Sequence, residues 1–264
     1  MLLAQISDPH VTAKGRKLYD RIDTIGHLRR AVQHLNDLAP RPDFTLITGD
    51  LVDEGSPPEY AMLRELVSGL AMAHALMPGN HDERGNLRRA FADHAYMPKD
   101  GEFLQYTIED LPLRIIALDT LVPGQAGGRL CLARLEWLAA RLQEQPARPT
   151  LIAMHHPPFD TGIEGMDEIK CANGAALGAI VARHPQVERI VCGHVHRPIF
   201  ARWHGTVVTT APATAHQVAL DFRSGRPVAS IMEPPACHLH RWQADTGLVT
   251  HVSYIGDHGP ATDY

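Results

Sequence analysis

The chain has no C-x-x-C pair among its four cysteines, no excess of basic residues and no long uncharged run. Each absence excludes something. Cys131, Cys171, Cys192 and Cys237 lack the spacing of a zinc-thiolate site. They read as reduced, mostly buried thiols of a cytosolic protein. A protein that grips a nucleic-acid backbone usually carries a basic face. The formal net charge of -5 argues against a nucleic-acid polymer as the main partner. No uncharged run approaches the roughly 20 residues that span a bilayer, so no membrane association is expected. The opening stretch Met1 to Ile6 follows no basic segment and is too short for a signal peptide. A cytoplasmic location is therefore expected. No internal repeat and no low-complexity segment is visible.

What is present is a globular composition. The 264 residues, 44% hydrophobic, suffice for one large α/β domain or a domain with an appendage. Histidine stands out at 17 residues. That abundance suggests metal chemistry or proton transfer, yet it also makes many single histidines incidental. Position has to separate them.

Over the first two thirds, apolar runs alternate with helical patterns. Leu2 to Ile6, Phe44 to Thr48, Ala75 to Met77, Leu151 to Met154 and Arg189 to Cys192 read as buried strands. Phe103 to Ile108 and Leu113 to Leu118 read as a strand pair. Ile22, Ile25, Leu28, Val32 and Leu35 recur at helical spacing. A second helix follows the Pro57-Pro58 start signal. Further helices are expected at Leu87 to His94, around Leu132 to Leu142, and at Gly174 to Arg183. The last third favours strands at Thr206 to Thr210, Gln217 to Phe222, Ala229 to Met232, Cys237 to Trp242 and Leu248 to Ile255. Asp245-Thr246-Gly247 makes the final two a hairpin. The order predicts a layered α/β fold with mixed sheets. Gly256 to Tyr264 is polar and is expected at the surface or on a partner subunit.

Five segments share one design, an apolar strand that runs into metal-ligand residues. They are Asp8-Pro9-His10, Gly49-Asp50, Gly79-Asn80-His81-Asp82, His155-His156-Pro157-Pro158 and Gly193-His194-Val195-His196. In α/β sheets, ligands gather at the carboxyl ends of strands. Each segment has a plainer reading as a turn or a structural histidine pair. All five in one chain make coincidence untenable. The chemistry they suit is phosphodiester hydrolysis. Two divalent metals roughly 3.5–4 Å apart neutralise the phosphate and ionise a water that attacks it. The mixed nitrogen and oxygen set suits iron, manganese, zinc or cobalt rather than magnesium or calcium.

The series D-x-H, G-D, G-N-H-D, H-H-P-P and G-H-x-H resembles the calcineurin-like metallophosphoesterase superfamily over residues 8 to 196. Lys17-Leu18-Tyr19, Arg41-Pro42-Asp43, Met166-Asp167, Cys171-Ala172-Asn173-Gly174 and His216-Gln217 narrow the resemblance. They point to bacterial glycerophosphodiesterases and class III cyclic nucleotide phosphodiesterases. The resemblance implies a four-layer αββα sandwich with two mixed β-sheets and a strand-rich C-terminal extension. Residues 1–200 would form the catalytic core. Residues 201–264 would complete the second sheet and supply a cap or dimerisation element, giving a homo-oligomer, a dimer or higher.

It further implies that Asp8, His10, Asp50 and His196 hold one metal. Asp50 would bridge to a second, completed by Asn80, His155 and His194. A metal-bound hydroxide would then attack a small phosphodiester, a 3′,5′-cyclic nucleotide or a glycerophosphodiester. His81 would face the phosphate and protonate the leaving oxygen. Asp82 would orient His81 or cap the following helix, with the cap favoured. His156 and His216 would lie at the pocket, although His216 reads equally as a structural histidine. Lys14, Arg16 and Lys17 follow His10 and read as a solvated loop. A phosphomonoesterase, a nuclease or a catalytically dead scaffold are the alternatives.

Overall fold

The computed structural model describes residues 1–260, 262 and 263, so positions 261 and 264 of the polar tail lie outside the described residues. The strands are β1 (Leu2–Ile6), β2 (Phe44–Thr48), β3 (Ala73–Met77), β4 (Tyr106–Ile108), β5 (Arg114–Leu118), β6 (Gly128–Arg129), β7 (Thr150–Met154), β8 (Cys171–Ala172), β9 (Val187–Cys192), β10 (Ile199–Trp203), β11 (Thr206–Thr210), β12 (Gln217–Val218), β13 (Ser230–Ile231), β14 (Ala236–Gln243) and β15 (Gly247–Tyr254). The helices are α1 (Thr24–Asp37), α2 (Pro57–Val67), α3 (Arg84–Ala90), α4 (Leu132–Glu144), α5 (Glu164–Asp167) and α6 (Gly174–Val181).

Two mixed sheets stack face to face. One has the order β15-β14-β1-β2-β3, the other β10-β11-β9-β7-β5-β4. The parallel strands β1, β2, β3, β5, β7 and β9 are apolar on both faces because both faces are covered. Leu3, Leu46 and Met77 turn toward the second sheet, while Ile6, Ile47 and Leu76 pack under α1 and α2. Leu135, Leu138 and Leu142 of α4 cover the outer face of the second sheet beside α6. The four layers are therefore helix, sheet, sheet, helix.

The C-terminal third serves both sheets. Strands β10 and β11 complete the six-stranded sheet, whereas the β14–β15 hairpin pairs through β14 onto β1 of the other. Several expected elements are shorter or displaced. Gln217 to Phe222 is extended only at Gln217–Val218, and Ala229 to Met232 only at Ser230–Ile231. The chain between carries Gly225 and Pro227, which break a ladder. Phe103 to Leu104 is not strand, because the Leu104 N–H donates to the Asp119 carboxylate at 2.8 Å instead of to a neighbouring strand. The helix expected from Leu87 begins at Arg84, since Glu83 caps it by accepting from the Gly85 and Asn86 N–H groups. Helix α1 begins at Thr24 under an Asp23 cap, and Ile22 closes a tight turn with Leu18.

Candidate metal centre

The five ligand-bearing segments follow β1, β2, β3, β7 and β9, and all five leave the sheets at the same end. The backbone there is bent sharply. Asp8 (φ 52), His10 (φ 42), Asp50 (φ 46), His194 (φ 69) and His196 (φ 54) all sit in the left-handed region. That conformation costs on the order of 1 kcal/mol or more for a non-glycine residue. Side chains are thereby aimed across the strand ends rather than along the pleat. The neighbouring glycines permit close approach. A Cβ on Gly79 would lie 2.3 Å from the Asp50 backbone N, and one on Gly193 would lie 2.1 Å from Ser7 Oγ.

Seven donors converge as a result. His196 Nε2 lies 3.3 Å from Asp8 Oδ1 and 3.2 Å from His10 Nε2, which is 3.7 Å from Asp50 Oδ2. On the other side of Asp50, its Oδ2 lies 3.3 Å from His155 Nε2, which is 3.2 Å from Asn80 Oδ1. His194 Nε2 is buried with no partner among the described residues. Neutral backbone and side-chain groups hold these rings from behind. His155 Nδ1 donates to the Thr48 carbonyl at 2.8 Å, and His196 Nδ1 donates to the His216 carbonyl at 3.0 Å. Such outer contacts fix ring tautomer and direction.

The electrostatics favour a cation. Burial presses His155 down, but the Asp50 and Asp8 carboxylates outweigh it and raise its pKa to about 9. The centre thus draws positive charge to the point between those carboxylates. Burial, with His155 beside it, pushes His194 down to about 3, so its ring is neutral. A neutral imidazole is the form that ligates. Buried carboxylates, neutral imidazoles, an amide oxygen and an unpartnered ring nitrogen together fit divalent cations of the transition series. Asp50 is placed between the two groups of donors.

The other expected residues divide. His156 has both ring nitrogens engaged, Nδ1 with Thr120 Oγ1 at 2.8 Å and Nε2 donating to the Ala126 carbonyl at 3.0 Å. It therefore lies behind His155 and His194 as wall. His81 turns Nδ1 to the Asp53 carbonyl at 2.7 Å, and its backbone N–H donates to Asp50 Oδ1 at 2.9 Å. Its ring lines the cavity beside these donors. His216 lines the same cavity, with its ring centre 4.7 Å from that of His196. The favoured role of Asp82 as a helix cap is not what is seen, because Glu83 is the cap. Asp82 is buried and accepts from Leu51 N, Gly79 N and Tyr60 Oη, which ties the second and third strand ends together. Lys14, Arg16 and Lys17 lie away from the cavity, and Arg16 pairs with Glu54 at 2.8 Å.

Sequence reading did not place Asp53, Tyr19, Arg21 or the apolar wall at the site, although Tyr19 and Met166 lie in segments that carry the narrower resemblance. Asp53 lies three residues after Asp50, and no motif marks it. Tyr19 (φ 50) and Asp20 (φ 57) form a tight turn that carries Tyr19 and Arg21 to the cavity. The cavity has a volume of about 430 Å³, and Met166, Ile169, Val218 and Val228 form the side away from the metal ligands.

A sandwich that gathers carboxylate, amide and imidazole at its strand ends defines a metal-dependent hydrolase. The chain belongs to the calcineurin-like phosphoesterase family, whose model matches residues 1–198. It is 39% identical over 257 residues to a protein of Arcobacter nitrofigilis named "Probable glycerophosphodiester phosphodiesterase GpdQ", covering 97% of this chain and 94% of that one. It is 35% identical over 264 residues to a "Probable cyclic nucleotide phosphodiesterase" of Rhodopseudomonas palustris, covering 98% and 94%. Among solved structures, a dimetal phosphatase of Danio rerio superposes with a TM-score of 0.64 at 15% identity, over 97% and 99% of the two chains. That likeness shows the fold alone.

Proposed function

We propose that this protein is a phosphodiesterase with two metals of the iron, manganese, zinc or cobalt type, acting on small phosphodiesters. The observation that carries the reading is the convergence of seven donors from five strand ends on two sides of Asp50. Asp8, His10, Asp50 and His196 would hold one cation, and Asp50, Asn80, His155 and His194 the other. When bound, the cations neutralise phosphate charge and lower the pKa of water. The protein does the rest. Asp50 holds its carboxylate between the two groups through the His81 N–H. His81, its Nδ1 fixed by the Asp53 carbonyl, presents Nε2 to the phosphoryl oxygens and passes a proton to the leaving oxygen. Asn80 and His216 line the phosphate side, and His156 keeps its neighbours in place. Cyclic nucleotides and glycerophosphodiesters are the substrates that the relatives' names suggest. The small walled cavity favours either over a polymer.

Turnover of cyclic AMP, a glycerophosphodiester and a phosphomonoester should be compared on manganese-, zinc- and iron-loaded protein. Diesters should be cleaved and the monoester far more slowly. The reverse order would overturn the reading. His81→Ala should keep both metals and lose about 10²-fold in turnover. Near-normal turnover with two metals would remove His81 from the mechanism. No helix among the described residues is long and apolar enough to cross a membrane. Work as a dimer or higher assembly is supported by the exposed apolar residues Leu220, Phe222, Val228, Ile231 and Met232, of which Val228 lines the cavity. Light scattering tests the assembly.

A further inference from the structure

A second cavity opens at the opposite end of the sandwich. It lies where the edge strands β3 and β4 of the two sheets approach one another, at the amino ends of β2 and β3. Its volume is about 700 Å³, against about 430 Å³ at the metal centre. Such a volume suits a small organic molecule. Phe44, Leu70, Met72 and Ile108 supply apolar walls. An aromatic cluster forms one side, with the His94 ring centre 5.3 Å from that of His74 and 5.4 Å from that of Tyr96.

The cavity has a chemical preference. Burial, with His94 beside it, holds the His74 ring near pKa 4, so it adds no positive charge at physiological pH. Among the described residues, the lining includes Asp43, Glu109 and Asp110 and neither lysine nor arginine. Glu109 is neutralised by Arg114 and Arg148, both at 2.9 Å. Asp43 accepts the Leu2 N–H at 2.7 Å. The Asp110 carboxylate has no ion pair or hydrogen bond among the described residues. The cavity therefore repels the anionic substrate and product of the metal centre and attracts positive charge.

We propose that this cavity is a binding site for a small amphipathic cation, an aryl- or alkylammonium. The apolar body would sit on Phe44, Met72 and Ile108. The ammonium would face Asp110, with Tyr96 giving a cation–π contact.

Calorimetry on the full-length, metal-loaded protein tests this, with tryptamine as the probe and indole-3-propionate as its anionic counterpart. Tryptamine should bind one to one and about tenfold more tightly than the anion, a difference of about 1.4 kcal/mol. Asp110→Asn, on an exposed turn where folding is not at stake, should erase most of that difference. Saturating phosphate, which competes at the metal centre, should leave tryptamine binding unchanged. Equal affinity for the two probes, no binding of tryptamine at millimolar concentration, indifference to Asp110→Asn, or displacement by phosphate would each overturn the proposal.

Discussion

Single atoms decide the metal centre. Gly79 has no positive φ, so its requirement is purely one of space. A methyl there would press on the Asp50 backbone and carboxylate, both at 2.3 Å, and on His155 Nε2 at 2.8 Å. Gly79→Ala should therefore fold yet bind the cation shared by Asp50 and His155 about 10–100-fold more weakly, the range for disturbing ligand geometry. Metal content after dialysis checks this, and undiminished occupancy would show that the turn relaxes. Tyr60→Phe probes the buried support beneath. It leaves the Asp82 carboxylate without the Tyr60 hydroxyl at 2.8 Å. A lost partner of a buried group costs about 1–3 kcal/mol, so urea unfolding should shift accordingly while the metal ligands stay untouched. At this scale the sequence was informative where chemistry and motif coincide. Asp8, His10, Asp50, Asn80, His155, His194 and His196 are polar residues at the ends of apolar runs, and they meet. Asp53 acts on His81 through its backbone carbonyl at 2.7 Å and its carboxylate at 3.7 Å. Any residue can supply the carbonyl, and no motif marks the carboxylate, so Asp53 was not legible.

At the scale of elements, β14 is the instructive strand. Its even face lies between the two sheets, where His238 stacks on Phe200 with ring centres 5.6 Å apart. Neither ring nitrogen of His238 has a partner among the described residues, and burial lowers its pKa to about 4. An unfolded histidine titrates near 6.5. Above that pH both states are neutral and stability is flat. As pH falls from about 6.5 toward 4, only the unfolded chain takes the proton, so the fold loses stability. Between pH 7.5 and 5 the loss from this one residue is about 2 kcal/mol. His238→Leu should match or exceed the wild type at pH 7.5 and fall by about that much less at pH 5. Equal acid losses in urea titrations would show that His238 is not the sensitive group. The parallel strands were legible because burial on both faces makes them continuous apolar runs. The stretch from Ala219 to Met232 was not. Its β-prone residues Phe222 and Met232 are exposed rather than laddered, and intrinsic preference yields when no neighbouring strand is in reach.

Over the whole molecule, the metal centre is a clasp between the two sheets. Asp8, His10, Asp50 and Asn80 come from the ends of β1, β2 and β3, while His155, His194 and His196 come from β7 and β9 of the other sheet. Inside the sandwich the sheets also meet through polar bonds. Gln5 Nε2 donates across to the Cys192 carbonyl at 3.0 Å, while Thr48 Oγ1 at 3.0 Å and His240 Nε2 at 3.1 Å hold Gln5 from within its own sheet. At the ligand end, however, burial presses the Asp8 and Asp50 carboxyls up, but His196 and His155 outweigh it and hold both ionised, so the centre concentrates negative charge. Cations that bind the folded state alone should therefore stabilise the entire domain. One site at a hundredfold excess over its Kd contributes about 2.7 kcal/mol. For a chain of this size that corresponds to a Tm rise of roughly 5–10 °C. Calorimetry with manganese against a chelator should show a rise of this order in the wild type. In Asp50→Asn, which removes the shared carboxylate, most of it should vanish. The variant's own chelated Tm should lie below that of the chelated wild type, because the carboxylate that His155 and the His81 N–H favour is gone. A metal-induced rise in Asp50→Asn as large as that of the wild type would show that Asp50 is not the shared ligand.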